Sequence, residues 1–563
     1  MKHQSFIAWL IVPFMLAACN GSQQESSSPE LPSEIKAGAG EQQASGYVFH
    51  DANENEKKDD GEAGIEGVAV SNGRDVVVTN EDGYYGLPVS DDATVFVIKP
   101  KNWMTPVNEL NLPQHYYLHK PNGYPSGYRY KGVAPTGDLP EQINFPLYKQ
   151  KEAQEFKILV FGDPQPYSIQ EVDYLAEDIV SELIGRQDVE FGMTMGDIVG
   201  DSLNYFRPMN ETVAQIGIPW YNVMGNHDIN YQAHTDKLSD ETFERVYGPS
   251  TYAFAYGDVH FIILDDVIHE DKAGSREYVG GLRDDQLTFM ENYLQTVPNQ
   301  DLVVLNMHIP VYKEGGGFRE SDRKQLLEML SEFPHTLSIS AHTHVQNNWF
   351  FHSDSSQWQR SEPHHHYNMG TTSGTWWNGL RGENNIPHTM MRDGTPNGYA
   401  FITFKDNEYT IDWKVAGSSP DHRMNIHVPR GIQAGSNDNP LLTVNLFNGS
   451  SQSKVEYRVK GHTGWKEMNK VEKFDPYYHK LHQRWNFLKD VGTLKAMRSS
   501  DTDPQFSISD WDLSHPQPSS HLWEANLGTD WPKGRHTIEV RVTDRYGRTF
   551  KDVHTMRVAP TVP

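Results

Sequence analysis

The chain has 563 residues, a formal net charge of −26, and 37% hydrophobic and 11% aromatic residues. This length exceeds one ordinary core and predicts about three or four domains, and the aromatic content argues against disorder throughout. So acidic a chain lacks the electrostatic footprint of a protein that binds nucleic-acid backbones or anionic membranes. Its single cysteine, Cys19, excludes an intramolecular disulfide.

The N-terminus has the pattern of a secretory signal. Lys2 and His3 precede an apolar run at 6–18 that is too short for an ordinary membrane span, and small residues lead into Cys19. Residues 1–19 resemble a bacterial lipoprotein signal; the alternative is a plain secretory signal with a chance cysteine. The resemblance implies a lipidated Cys19 that attaches the protein to the bacterial cell envelope. Asn20 favours the outer membrane, and either of its faces remains open.

Two stretches follow before the central region. Residues 20–45 are rich in Ser, Gln, Glu, Gly and Pro, which predicts a flexible tether. Residues 46–150 contain short β-rich runs separated by turn pairs such as Asn72-Gly73, which predicts an N-terminal β-sandwich. Within it, residues 64–85 resemble the β-sandwiches of surface proteins and carboxypeptidase regulatory domains.

An acidic segment at the start of this sandwich has the spacing of a calcium loop. Oxygen-bearing side chains occupy positions 1, 3, 5, 9 and 12 of the pattern: Asp51, Asn53, Asn55, Asp59 and Glu62. Glu56 stands where the loop needs glycine, and no flanking helices are predicted. Calcium binding and an acidic surface loop are both open interpretations.

From residue 156 to 415, buried strand patterns alternate with amphipathic helices, which predicts an α/β layered core. Residues 425–560 return to β patterns, as in the alternating run from His536 to Asp544, and predict a C-terminal β-sandwich.

Polar residues follow five successive predicted strands of the α/β region, where ligands bind in open α/β sheets. These residues are Asp163 and Gln165, Asp197 and Asp201, Asn226-His227-Asp228, His308, and His342-Thr343-His344. Carboxylate, amide oxygen and neutral imidazole suit divalent Mn, Zn or Fe. Each segment alone is compatible with a turn or a structural histidine, but the ordered set predicts a site for two divalent metal ions.

This ordered set resembles the calcineurin-like metallophosphoesterase family over residues 156–415. The resemblance implies a layered β-sandwich flanked by helices, and N- and C-terminal β domains as in bacterial secreted phosphoesterases. It implies that Asp163 and His344 hold one metal, that Asp197 bridges, and that the second metal is held by Asn226, His308 and His342. A hydroxide activated by both metals would attack phosphorus. His227 would act as acid beside the substrate, with its ring oriented by Asp201 or Asp228.

Three positions depart from the family pattern. Gln165 replaces the usual histidine and is expected to be a weaker metal ligand through its amide oxygen. The arginine that follows the second acidic residue in the family's protein phosphatases is missing, because Ser202 follows Asp201. Ala341 replaces the glycine usual before His-x-His.

The expected activity is metal-dependent hydrolysis of a phosphorylated small molecule or phosphoprotein, with a phosphomonoester favoured over a phosphodiester or nucleotide diphosphate. The alternative from another class is a surface-binding lipoprotein with an inactive core, which Gln165 and the missing arginine would favour.

Three other segments have two interpretations each. Residues 370–377 form a pocket wall or an ordinary Gly-rich loop, and residues 362–366 form a polar loop at the site mouth or a metal site. A third set is expected to pack in the C-terminal core or to bind sugar: Trp511, Trp523 and Trp531.

Overall fold

The computed structural model describes residues 31–560 except 273, 313–316, 354–356, 380, 383–384, 436–437, 463 and 491–512. The predicted lipoprotein signal with Cys19, and Trp511, lie outside the described residues. Within the described part, no helix has both the length and the apolar character needed to cross a membrane.

The N-terminal domain consists of two four-stranded sheets, with strand orders β4-β1-β8-β6 and β3-β2-β5-β7. Its strands are β1 Gln42–His50, β2 Ala69–Ser71, β3 Val76–Val78, β4 Tyr84–Val89, β5 Ala93–Val97, β6 Trp103–Met104, β7 Tyr116–His119 and β8 Phe145–Lys149. Val48, Val70, Val95 and Leu147 share one buried cluster. The alternating apolar residues of the two sheets therefore form one sandwich core.

The predicted tether is shorter at its C-terminal end than 20–45. Strand β1 begins at Gln42 and pairs with β4, and the Ile35 amide donates to the Gly86 carbonyl at 3.0 Å. Ala44 and Val48 are fully buried, but the polar residues Gln42, Gln43 and Ser45 around Ala44 conceal this alternation in the sequence.

The candidate calcium loop is closed by its own hydrogen bonds. The Asp51 carboxylate accepts the backbone N–H groups of Asn55 and Glu56 at 3.2 and 2.7 Å. Glu62 accepts those of Ala52 and Asp59 at 3.0 Å each. The two asparagine side chains, Asn53 and Asn55, donate to Asp59 at 2.9 and 2.8 Å. Calcium binding stays a prediction.

The central domain has two facing sheets, with orders β11-β10-β9-β20-β21 and β12-β13-β16-β17-β19-β18. Its strands are β9 Glu155–Phe161, β10 Phe191–Met195, β11 Trp220–Val223, β12 Tyr252–Tyr256, β13 Val259–Ile263, β14 Val267–His269, β15 Tyr278–Gly280, β16 Leu302–Asn306, β17 Thr336–Ser340, β18 Asn347–Phe351, β19 His364–Asn368, β20 Gly398–Lys405 and β21 Glu408–Val415. Strands β14 and β15 form a separate hairpin. Phe191 of the first sheet contacts Phe254 and Phe261 of the second at ring-centre distances of 5.4 Å.

Helices cover the outer faces of this sandwich. They are α1 Ile169–Asp178, α2 Phe206–Val213, α3 Asp236–Ser239, α4 Glu241–Tyr247, α5 Asp284–Leu294 and α6 Glu320–Leu330, with 3₁₀ turns at Val180–Glu182, Leu203–Tyr205 and Ala214–Ile216. Ser168 caps α1 by accepting the Glu171 N–H, and α1 buries Val172 and Leu175. Strand β10 is buried along its whole length, as expected for a parallel strand covered on both faces.

The C-terminal domain is a second sandwich, with orders β22-β24-β28-β27 and β23-β30-β29-β25-β26. Its elements are β22 Met424–His427, β23 Gly431–Gln433, β24 Leu441–Leu446, β25 Lys454–Val459, β26 Lys466–Glu467, β27 Asn469–Phe474, α7 Pro476–Asp490, β28 Pro518–Asn526, β29 Gly534–Thr543 and β30 Thr549–Ala559. Trp523 is buried in its core and Trp531 packs against it. Trp523 is therefore a core residue, whereas Trp531 is half-buried at the edge of that core.

Buried polar contacts join the central domain to its two neighbours. Lys120 of the N-terminal domain bonds to Glu241 and Glu244 at 2.9 and 2.8 Å, and also pairs with Asp92. Burial by itself lowers the pKa of Lys120, but these carboxylates raise it above its ordinary value. On the other side, Asp393 and His521 approach to 3.1 Å, each with a side chain 1% exposed.

Replacing Lys120 with methionine should destabilise the protein by about 3–5 kcal/mol, because it leaves buried carboxylates without their cation. Denaturant unfolding measures this change. The matched control is Lys101→Met, which removes an exposed pair with Asp258 whose side chains are 54% and 47% exposed and should change stability by less than about 1 kcal/mol. Equal effects of the two substitutions would contradict the assignment of Lys120 as the interdomain anchor.

Candidate functional site

Four predicted metal ligands converge at the carboxyl ends of β10, β11, β16 and β17. The Nε2 atom of His308 lies 3.1 Å from Asn226 Oδ1, 3.3 Å from Asp197 Oδ1 and 3.2 Å from His342 Nδ1. In the described part of the chain, Asp197, His308 and His342 are the group of acidic and histidine side chains whose ligand atoms all lie within 4.8 Å. These donors form one half of the site.

Asp163 and His344 form the other half, around β9 and β17. His344 Nε2 lies 4.0 Å from Asp163 Oδ1, and both Asp163 oxygens accept the backbone N–H of His342 at 3.1 Å. The Nδ1 of His344 bonds to the Gly374 carbonyl at 3.0 Å. Because a carbonyl only accepts, Nδ1 carries the proton and Nε2 keeps its lone pair for a metal.

The amide oxygen of Gln165, the atom that would bind a metal ion, is engaged in a different hydrogen bond. Its Oε1 accepts the Trp376 indole N–H at 2.5 Å, and its Nε2 donates to Asp197 Oδ2 at 3.2 Å. The indole N–H only donates, so the amide oxygen must face Trp376. Gln165 therefore steadies the Asp197 carboxylate here, and the predicted ligand role would require its side chain to rotate away from Trp376.

The electrostatics of the site fit divalent cations. Burial lowers the pKa of His344 to about 4, and burial together with His308 lowers that of His342 to about 3, so both rings are neutral, as a metal-binding imidazole must be. Burial also lowers the pKa of His308, but the carboxylates of Asp197, Asp163 and Asp266 raise it to about 10. The buried carboxylates therefore favour a positive charge at this position, which a divalent metal ion would supply.

Strained backbone accompanies these side chains. Positive φ angles occur at eight non-glycine residues around the site: Asp163 (37°), Gln165 (42°), Asp197 (49°), Asp201 (66°), His342 (66°), His344 (54°), Trp376 (63°) and Trp377 (44°). Such strain persists only where the surrounding structure enforces it, and it clusters at functional sites.

His227 stands beside the metal ligands with Asp201 as its partner. Its Nδ1 lies 2.6 Å from Asp201 Oδ1, and its backbone N–H donates to Asp197 Oδ1 at 2.9 Å. Burial lowers the pKa of His227, but Asp197 and Asp201 raise it above its ordinary value. Asp228, the other candidate for orienting the ring, instead accepts the N–H groups of Gly225, Ile198 and Val199 at 2.9–3.1 Å.

Several supporting residues were missed from the sequence. Asp266 accepts the backbone N–H groups of His308 and Ile309 at 3.1 and 2.8 Å, Tyr231 donates to the Asn226 carbonyl at 2.6 Å, and Arg276 pairs with Asp201 at 2.8 Å. Asp266 follows β13 as the predicted ligands follow their strands, a signal that was available. Arg276 and Tyr231 lie on loops without such a signal.

The segment 370–377 both supports and borders the site. Ser373 Oγ donates to the Asp163 carbonyl at 2.7 Å, and the Trp376 ring lies 4.6 Å from that of His344. The segment therefore packs against Asp163 and His344, and its role as a pocket wall stays a prediction.

Residues 364–366 are neither a mouth loop nor a metal site, because they belong to the buried strand β19. His364 and His366 each bond through both ring nitrogens to hydroxyl groups of β17 at 2.6–3.0 Å. Because all four ring nitrogens have hydrogen-bond partners, these two histidines can be buried inside the sheet.

Comparison with protein families gives three matches in chain order. They are the N terminal of calcineurin-like phosphoesterase at residues 52–134, calcineurin-like phosphoesterase itself at 156–346, and its C terminal at 366–550. The chain belongs to the calcineurin-like phosphoesterase family. It is therefore a hydrolase, and family membership implies divalent metal ions at this site. The predicted α/β fold with flanking N- and C-terminal domains is confirmed.

Two solved structures resemble the phosphoesterase distantly. Purple acid phosphatase PPD1 from yellow lupin (Lupinus luteus) seeds has 11% identity and a TM-score of 0.33, covering 67% of each chain. PhoD has 10% identity and a TM-score of 0.35, covering 71% of this chain and 84% of its own. Likenesses of this order say nothing about substrate. None of the curated proteins compared matches the chain.

Substituting Gly196 with alanine should abolish metal binding by the phosphoesterase. A Cβ there would lie 2.4 Å from His308 Nδ1, at a φ of +88°, so the histidine would have to move. Gly217→Ala is the control, since its φ is +84° but no atom lies within 4 Å of the added Cβ. It should cost only the roughly 1–2 kcal/mol of left-handed strain. Metal content by mass spectrometry and melting temperature separate the two, and full metal occupancy in Gly196→Ala would contradict the proposed packing.

Proposed function

We propose that this phosphoesterase is an extracytoplasmic phosphomonoesterase acting on a phosphorylated small molecule or phosphoprotein. Metal-dependent hydrolysis of phosphate esters follows from the family, whereas the ester class and the location are proposals. The observation that carries the proposal is that the predicted ligands and His227 lie together at one sheet edge, where Asp197, His308 and His342 present ligand atoms within 4.8 Å of one another.

The proposed roles follow the geometry. Asp163 and His344 would hold one divalent ion, Asn226, His308 and His342 the other, and Asp197 both. Bound ions of this kind, here Mn, Zn or Fe, activate water and neutralise charge on the phosphoryl group. His227, with Nδ1 held by Asp201, directs Nε2 toward the leaving oxygen and supplies its proton. Gln165 and Trp376 hold Asp197 in place.

A phosphodiesterase is the second candidate, and one observation favours it. Aromatic rings lie beside the site histidines: Tyr167 at 6.0 Å from His227, Tyr278 at 6.1 Å from His342, and Trp376 at 4.6 Å from His344. Such rings offer apolar surface to a flat or sugar-like alcohol group, which a diester carries on both sides of phosphorus.

The decisive experiment uses the full chain and the variant Asp197→Asn. The wild-type protein should contain bound divalent metal and hydrolyse para-nitrophenyl phosphate faster than the bis(para-nitrophenyl) diester. Asp197→Asn should lose metal and reduce kcat/KM by about three orders of magnitude, since several kcal/mol of charge stabilisation depend on the metals. The control is Asp301→Asn, a buried aspartate paired with His260 at 3.1 Å outside the site, which should retain metal and activity.

Failure of the wild-type protein to bind metal or hydrolyse either ester with added Mn, Zn or Fe would favour the inactive surface-binding alternative. Faster hydrolysis of the diester would replace the monoesterase by the second candidate.

We also propose that the enzyme is anchored through a lipidated Cys19 to the bacterial outer membrane. The support is the signal pattern around Cys19, since two acyl chains suffice for stable attachment. Metabolic labelling with an alkynyl fatty acid should mark the wild-type protein and leave Cys19→Ser unmarked. Labelling of both, or of neither, would contradict the anchor.

A further inference from the structure

The enzyme lacks an arginine at the chain position where the family's protein phosphatases carry one, since Ser202 follows Asp201. The Asp201 carboxylate nevertheless has two side-chain partners, one of them an arginine. His227 Nδ1 lies 2.6 Å from Oδ1 and Arg276 Nη1 lies 2.8 Å from Oδ2. The Asp201 carboxylate therefore lies between His227, the proposed acid, and a guanidinium from a distant part of the sequence.

The hairpin of β14 and β15 positions this guanidinium. Arg276 lies in the loop between them, and the Gly274 N–H fixes that loop to the Tyr231 carbonyl at 2.6 Å. The Arg276 guanidinium carbon lies 5.2 Å from the Tyr231 ring centre, within cation–π range. The Tyr231 hydroxyl in turn bonds to the carbonyl of Asn226, the residue before His227. The loop between β14 and β15 is therefore held by Tyr231. Tyr231 also contacts the segment that contains Asn226, a proposed metal ligand, and His227, the proposed acid.

Stability does not account for this placement. The Arg276 side chain is 69% exposed, and an exposed ion pair contributes at most about 1 kcal/mol. Asp201 already has His227 as a hydrogen-bond partner. An exposed arginine held by a carboxylate at the edge of a site has a free face of its planar donor group, which suits bidentate recognition of phosphate oxygens.

We infer that Arg276 binds the non-bridging phosphate oxygens of the substrate and so favours dianionic phosphomonoesters. The inference rests on the proposed function for its substrate class. Asp201 holds the guanidinium beside His227 when no substrate is present, and Tyr231 limits its other orientations. A monoester carries one more negative charge than a diester, so a fixed cation adds more to its binding.

The test compares Arg276→Ala and Arg276→Lys with Arg207→Ala in the full chain loaded with Mn²⁺. Arg207 is the matched control because it is an exposed arginine in a single pair with Glu211 at 2.8 Å. Calorimetric titration with inorganic phosphate should show a loss of affinity of about 10- to 100-fold in Arg276→Ala, a smaller loss in Arg276→Lys and no change in Arg207→Ala. Metal content should be unchanged in all three.

On the two aryl esters, Arg276→Ala should lose more kcat/KM for the monoester than for the diester. Phosphate affinity within about twofold of wild type, with only a shifted pH profile of activity, would make Arg276 a positioning residue for Asp201 and overturn the inference. So would a metal-loaded wild-type protein that binds no phosphate at millimolar concentration. If the wild type hydrolyses no ester, the proposed function fails, but the phosphate titration still decides the role of Arg276.

Discussion

Carboxylates buried at one end of the central sandwich impose the constraint on which the rest of the site depends. Asp163 and Asp266 are fully buried and Asp197 is 2% exposed, and buried charge is costly unless it is paired. Burial raises the pKa of Asp163 to about 8. Burial lowers the pKa of His308, but the neighbouring carboxylates raise it to about 10. A divalent metal ion would place more positive charge beside these carboxylates than a single imidazolium. Positive φ angles at several candidate ligands and the close approach of Gly196 to His308 accompany the arrangement that brings these groups together.

Both flanking domains support the loops that carry the site. Tyr130 of the N-terminal domain donates to the Asp201 carbonyl at 3.1 Å. From the C-terminal domain, His521 pairs with Asp393, which accepts the Gln346 N–H at 2.7 Å two residues after His344. Burial raises the pKa of Asp393, but His521 and backbone donors lower it below its ordinary value. The flanking sandwiches therefore help to fix the geometry of the ligand loops, as a preorganised site requires.

The sequence pattern predicted the residues that follow buried strands. It did not predict features that depend on contacts between distant residues. The candidate ligands after β9, β10, β11, β16 and β17 could be located because strand ends meet at one edge of a sheet. The orientation of Gln165 could not, since it depends on Trp376, 211 residues away. His364 and His366 suggested a loop because polar residues interrupt the apolar pattern. Their hydroxyl partners in β17 remove the cost of burial, and no single-strand pattern shows that compensation.

The orientation of Gln165 also makes the two halves of the site unequal. Asp197, Asn226, His308 and His342 give one half four converging side chains. The half around Asp163 and His344 shares Asp197 but receives no donor from Gln165, whose oxygen is held by Trp376. Catalytic metal sites keep a position open for water or substrate, whereas structural sites are filled by protein ligands. Fewer protein donors therefore converge in the half bordered by Trp376, and the Gln165–Trp376 hydrogen bond accounts for this difference.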